Sequence, residues 1–182
     1  TEYFKQAELA FAAYARNLVS GEPSEFELKR AEFSDNQARI FASTYRVVDQ
    51  YNDTLTGLSA TVFADADNNT YLAIRGTEVN DPADLITGLV NILWLGSTAL
   101  HPQYISLKAQ VTEWLNNGTL SPTFTVTGHS LGGYLATGIA VDFANNVSHA
   151  YLYNAPGLGG TTGTVISPIL DFLGISTHFV PA

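Results

Sequence analysis

Tyr3, Ala7, Ala10, Phe11, Tyr14 and Leu18 recur at the three-and-four spacing of one helix face, with Lys5, Glu8, Arg16 and Asn17 opposite. Gly21 and Pro23 end that pattern. In Ser34-Asp35-Asn36-Gln37 a serine is followed three residues later by a glutamine, a capping box that predicts a second helix through Phe41. Residues 45–51 and 58–64 are rich in β-branched and aromatic side chains and predict two strands. Asp65-Ala66-Asp67-Asn68-Asn69 predicts a turn, and residues 71–75 a third strand.

Beyond residue 80 the rhythm changes. An apolar run from Leu85 to Leu100 is interrupted by Thr87, Gly88, Asn91, Gly96 and Ser97. It falls short of the roughly 20 residues that a membrane-spanning helix requires, so no transmembrane segment is predicted. Tyr104, Leu107, Val111, Trp114 and Leu115 then form an amphipathic face that Asn116-Asn117-Gly118 closes. A strand over 124–127, a helix over 131–144, a strand over 150–153 and a final strand over 175–180 complete the pattern. Strands that alternate with helices imply a single α/β domain over 1–182, with a mostly parallel sheet covered by helices on both faces.

Composition narrows the function. With 46% hydrophobic and 14% charged residues in 182, the chain can bury a core and is not a disordered segment. Eight basic against seventeen acidic residues give a net charge of −9. That balance lacks the clustered cations that phosphate backbones demand, so a nucleic-acid partner is excluded. Without cysteine, disulfides, thiolate chemistry and cysteine-ligated metals are excluded as well. There is no methionine, so Thr1 is not a retained initiator, and processing or cutting of the chain is expected.

The chemistry sits in Thr123-Phe124-Thr125-Val126-Thr127-Gly128-His129-Ser130-Leu131-Gly132-Gly133. Gly128, Ser130 and Gly132 make a G-x-S-x-G between a predicted strand and a predicted helix. A serine on so sharp a turn holds a strained backbone, and only glycines two positions to either side avoid a clash. The turn lifts the hydroxyl above the carboxyl edge of the sheet. It also aims the first helical N–H groups, Leu131 foremost, at an oxyanion forming there. This is the nucleophile elbow of an α/β-hydrolase core, with Ser130 as nucleophile; the alternative is a glycine-rich turn with a structural serine. A second oxyanion donor is needed, and Arg75-Gly76-Thr77, just past the third strand, offers the backbone N–H of Thr77.

Ile74-Arg75-Gly76-Thr77, Gly128-His129-Ser130-Leu131-Gly132-Gly133 and Tyr153-Asn154-Ala155-Pro156-Gly157 together resemble the class 3 lipases, a group of fungal and bacterial triacylglycerol lipases. The resemblance covers roughly residues 34–182 and is nearest to secreted bacterial members. It implies Ser130 as nucleophile, the N–H groups of Thr77 and Leu131 as oxyanion hole, and a lid over about residues 80–102. It further implies an acyl-lipid ester as substrate, contact with a lipid interface, secretion, and chemistry that uses no cofactor and no metal.

The rest of the triad is harder to place. In this fold the acid and then the histidine follow the serine. His101 precedes it, His129 adjoins it in a turn that directs the ring away, and His149 lies before its strand at the amino edge, roughly 17 Å from the catalytic edge. Asp171 and His178 have the right order but are joined by too little chain, with Asp171 in a short predicted helix over 168–173. The resemblance places the catalytic Asp just past the strand over 175–180. The acid and base are therefore expected beyond Ala182, in sequence removed from the chain or held as a separate C-terminal fragment of the same protein.

Weaker candidates have plainer readings. Asp65, Asp67, Asn68 and Asn69 faintly suggest a calcium loop, but its glycine and distal glutamate are missing and a hairpin turn is favoured. Asp81 and Asp84 read as caps of the helix that follows. Leu85–Leu100 is either a buried helix or a lid with an apolar underside. The expected activity is that of a lipase-like ester hydrolase. A phospholipase A1 or short-chain carboxylesterase is the rival among enzymes, and a catalytically incomplete lipid-binding protein the rival outside them.

Overall fold

The structure, a computed structural model, describes residues 2–76, 102–153 and 155 in full and residues 176–180 as backbone strand. In chain order the elements are α1 (Glu2–Ala12), α2 (Glu25–Arg30), α3 (Asp35–Thr44), β1 (Arg46–Asp53), β2 (Leu58–Ala64) and β3 (Thr70–Ile74). Next come α4 (Pro102–Asn117), β4 (Phe124–His129), α5 (Leu131–Asp142), β5 (Val147–Tyr153) and β6 (Ser176–Val180). The predicted capping box opens α3: the Gln37 backbone N–H donates to Ser34 Oγ at 3.3 Å, and the Ser34 N–H donates to Gln37 Oε1 at 3.1 Å.

The strands form one sheet in the order β1-β2-β3-β4-β5-β6. The first two pairings are antiparallel hairpin contacts, and the three from β3 onward are parallel. The expected α/β-hydrolase core, a mostly parallel sheet, is thus present with an antiparallel edge. The β1–β2 and β2–β3 connections are too short for a parallel crossover, which needs a dozen or more residues. The turn at Asp65 shows this directly. Its carboxylate accepts from the N–H groups of Asp67 and Asn69 at 3.0 and 2.9 Å and from the Tyr71 hydroxyl at 2.8 Å, so its oxygens are committed to closing the hairpin.

Alternation along the strands divides the core in two. Leu58, Ala60, Val62, Leu72, Ile74, Val126, Ala150 and Leu152 face α4 and α5, where Leu107, Val111, Trp114, Leu135 and Ile139 meet them. Val47, Phe63 and Ala73 face the other way, onto Leu9 and Ala12 of α1, Leu28 of α2 and Phe41 of α3. Covering both faces leaves all of β2 buried, and its polar Thr61 is matched by Gln50, whose Nε2 donates at 2.9 Å. Trp114 is fully buried and donates from Nε1 to Asp49 at 2.7 Å, tying α4 to β1.

Three elements differ from the expectation. The first helix ends at Ala12 and does not continue to Leu18. The chain tightens there through bonds from Tyr14 N to Phe11 O and from Ala15 N to Ala12 O, both 3.0 Å, and turns at Asn17 with φ 56°. Helix α2 was not predicted, although Ser24 and Glu27 carry a cap signal: Ser24 Oγ accepts from Glu27 N at 3.4 Å. A six-residue helix with only Leu28 buried leaves too few apolar positions for a period to register. Strand β5 begins at Val147, so His149 lies within the strand and not ahead of it. The expected lid, His101 and the helix over 168–173 lie outside the described residues, except that Pro102 begins α4. No helix among the described residues is long and apolar enough to cross a membrane.

Candidate active site

Parallel pairing brings the ends of β3, β4 and β5 to one edge, with Ile74 beside Gly128 and His129 beside Tyr153. Ser130 follows β4 directly and holds φ 55°, ψ −127°. Such a combination is adopted readily by glycine and costs a serine roughly 1–3 kcal/mol, so the surrounding structure must impose it. The constraint comes from both sides. Ser130 N donates to Tyr153 O at 2.9 Å, while Ser130 O accepts from Gly133 N and Tyr134 N at 2.9 and 3.2 Å. The side chain is half-buried and caps no helix, so the turn presents the hydroxyl instead of consuming it.

The flanking glycines are explained by what a side chain would meet. A Cβ on Gly128 would run into the backbone of Gly132 and come within 2.7 Å of Gly133 N. One on Gly132 would strike the Ile74 carbonyl oxygen and lie 2.9 Å from the Arg75 carbonyl carbon. Since real Cβ contacts of this kind do not occur, the elbow and the end of β3 can approach this closely only with glycine at both places. Gly133 packs beyond β5 as well, where its Cβ would be 2.8 Å from that of Ala155.

Leu131 is the first residue of α5, so its N–H has no intrahelical carbonyl and points toward the carboxyl edge, while its side chain is buried. Thr77 lies outside the described residues. Its neighbour Gly76 abuts the elbow: a Cβ there would lie 3.3 Å from Ser130 Cβ and 2.7 Å from His129 O.

His129 shares a hydrogen bond between its Nδ1 and the Tyr14 hydroxyl at 3.1 Å. Its ring stacks on Phe11, with centroids 5.9 Å apart. It faces a cavity of about 540 Å³ bounded also by Arg16, Glu27 and Arg30. Tyr14 and Phe11 read in the sequence only as positions on a helix face. A partner 115 residues away leaves no local signal, which is why this contact was missed. His149 pairs in register with Thr125 and Ser176, in the amino half of the sheet, and the backbone of His178 pairs with Tyr151, short of the edge.

Burial holds the pKa of His129 below its ordinary 6.5. The unfolded chain therefore takes up the proton first as the pH falls. Stability from the neutral ring is complete above about pH 6.5 and is lost as the pH drops through the lowered folded value. The melting temperature of the wild type is expected to fall more between pH 7 and pH 5 than that of His129→Asn, which has nothing to titrate there. Parallel slopes would contradict the burial of a neutral imidazole.

Residues 75–159 match the family model described as lipase (class 3). This span is similar to the class 3 lipases. The matched span begins directly after β3 and contains α4, β4, the elbow, α5 and β5. Three solved lipases share the fold over 98% of this chain. Lipase II from Rhizopus niveus superposes with a TM-score of 0.60 at 19% identity, and 69% of its length is covered. The lipase from Rhizopus microsporus var. chinensis gives 0.62 at 20% identity with 64% covered. A triacylglycerol lipase from Penicillium expansum gives 0.52 at 16% identity with 67% covered. The chain thus spans about two thirds of the length of these lipases. No curated protein sequence matches it.

Proposed function

We propose that this chain belongs to the class 3 lipases and serves a secreted serine hydrolase that cleaves carboxylic esters of acyl lipids. The observation that carries the reading is the backbone of Ser130, held at φ 55°, ψ −127° between glycines that admit no side chain. A structural serine has no need of that strain. Ser130 Oγ attacks the ester carbonyl, a tetrahedral oxyanion forms, and the N–H groups of Leu131 and Thr77 stabilise it. The proximity of Gly76 to Ser130 supports the role of Thr77. Collapse of that intermediate breaks the ester C–O bond and expels the alcohol, which takes the proton held by the base; water then attacks the acyl-enzyme, freeing the carboxylic acid and returning the proton to Ser130 Oγ.

A base must take the hydroxyl proton. His129 is engaged by Tyr14, and His149 sits in the amino half of the sheet. We assign the base, and the carboxylate that orients it, to residues outside this chain, on a later part of the same protein. No cofactor takes part. The apolar run Leu85–Leu100 suits a lid that opens against a lipid interface.

Incubating the full-length gene product with a fluorophosphonate tests the reading by intact and peptide mass spectrometry. One adduct is expected, on the peptide that holds Ser130. Folded protein that takes up no adduct would remove the hydrolase reading and leave a lipid-binding protein without catalysis. Chain-length profiling then separates the enzymes. Long-chain esters cleaved faster above their solubility limit indicate a lipase, soluble short esters alone a carboxylesterase, and release of the sn-1 acyl group from phospholipid a phospholipase A1.

A further inference from the structure

The geometry points to Tyr14 as a positioning residue that locks the elbow to the oxyanion end of β3, an inference that rests on Ser130 being the nucleophile. Tyr14 lies past the end of α1, far from the elbow in sequence. Its hydroxyl nevertheless meets both halves of the site. It shares the 3.1 Å bond with His129 Nδ1, and it sits so close to Gly76 that a Cβ there would be 2.6 Å away. His129 precedes the nucleophile, and Gly76 precedes the residue assigned the second oxyanion donor. One hydroxyl therefore sets the spacing between the attacking oxygen and the donor loop.

The surrounding contacts show that α1 is tied to this edge repeatedly. Thr127 Oγ1, fully buried in β4, donates to Gln6 O at 3.1 Å. Tyr153 Oη, at the end of β5, donates to Tyr3 O at 2.6 Å. The Tyr14 bond is the one of the three that reaches the residue next to Ser130. Beyond the pair lies the cavity of about 540 Å³, so packing from that side cannot replace the hydrogen bond.

Tyr14→Phe keeps the ring and removes the hydroxyl. In the full-length gene product, kcat for ester hydrolysis is expected to fall about tenfold, with KM changed by less than about twofold. In a His129→Ala background the same change should cost less than about twofold, since its partner is already gone. His129→Asn, which keeps an acceptor where Nδ1 stood, should restore the full sensitivity to Tyr14→Phe. A Tyr14→Phe effect equal in the wild-type and alanine backgrounds would show that Tyr14 does not act through His129 and would overturn the proposal.

Amide hydrogen exchange supplies a readout independent of catalysis. Exchange at Gly76 and Leu131 should quicken at least about fivefold in Tyr14→Phe while the amides of β2 stay protected; unchanged exchange at both positions would likewise overturn the proposal. Should the wild type prove inert and the exchange still respond, the tether stands and only the hydrolase reading falls.

Discussion

Ser130→Ala is expected to lower ester hydrolysis on the order of 10⁴-fold or more and to abolish the fluorophosphonate adduct, because the proposed acyl-enzyme forms on Ser130 Oγ. The stability of two substitutions at this position then tests the strain. Alanine keeps a Cβ on a backbone at φ 55°, so Ser130→Ala should melt close to the wild type. Ser130→Gly removes the clash worth roughly 1–3 kcal/mol but adds about 0.5–1 kcal/mol of chain entropy to the unfolded state. The glycine variant should therefore be about 1 kcal/mol more stable than the alanine variant while equally inactive, as denaturant melts would show. A glycine variant less stable than the alanine one would mean that the elbow stores no strain. Residual hydrolysis in Ser130→Ala within tenfold of the wild type would place the nucleophile elsewhere.

The second large effect concerns Gly132. Its side-chain direction points at the backbone of Ile74 and Arg75, and a backbone cannot rotate aside as a long side chain can. Gly132→Ala must push α5 away from β3 or distort the turn between β4 and α5. A cost of about 3 kcal/mol is expected, which for a chain of this size lowers the melting temperature by about 6–12 °C. Because the same displacement moves Leu131 N–H away from Ser130, labelling by the fluorophosphonate should be lost even at temperatures where the variant is folded. Thermal melts and labelling on one sample check both. A variant within 2 °C of the wild type that still labels would show that the close approach of helix and strand is not needed.

These expectations divide according to how far apart in sequence their causes lie. The α3 cap was legible because Ser34 and Gln37 satisfy each other within one turn of chain. Strand β2 was predicted at its observed bounds, because its side chains pack on both faces of the sheet and leave a run free of charged residues, glycine and proline around Thr61, Val62 and Phe63. The elbow was legible for a local reason too, since the clash that requires Gly128 is with Gly132, four residues on.

The direction of the first two strand pairings, the end of α1 at Ala12 and the contact of Tyr14 with His129 were not legible in the same way. Helix spacing continues past Ala12 in the sequence, but Gln50 of β1 accepts from the Leu18 N–H and donates to the Ala15 carbonyl, and such tertiary bonds outweigh the few tenths of a kcal/mol per residue that helix propensity supplies. The clash behind Gly132 is also of this kind: its motif is visible in the sequence, but the carbonyl of Ile74 that forbids a side chain there belongs to another strand. Local chemistry thus determined the capped helix, the strands and the position of the elbow that holds Ser130, the proposed nucleophile. Which distant groups surround that nucleophile was decided only when the parallel pairing of β3, β4 and β5 carried their ends to one edge, because hydrogen-bond register and steric contact between chain segments so far apart leave no periodic trace in either of them.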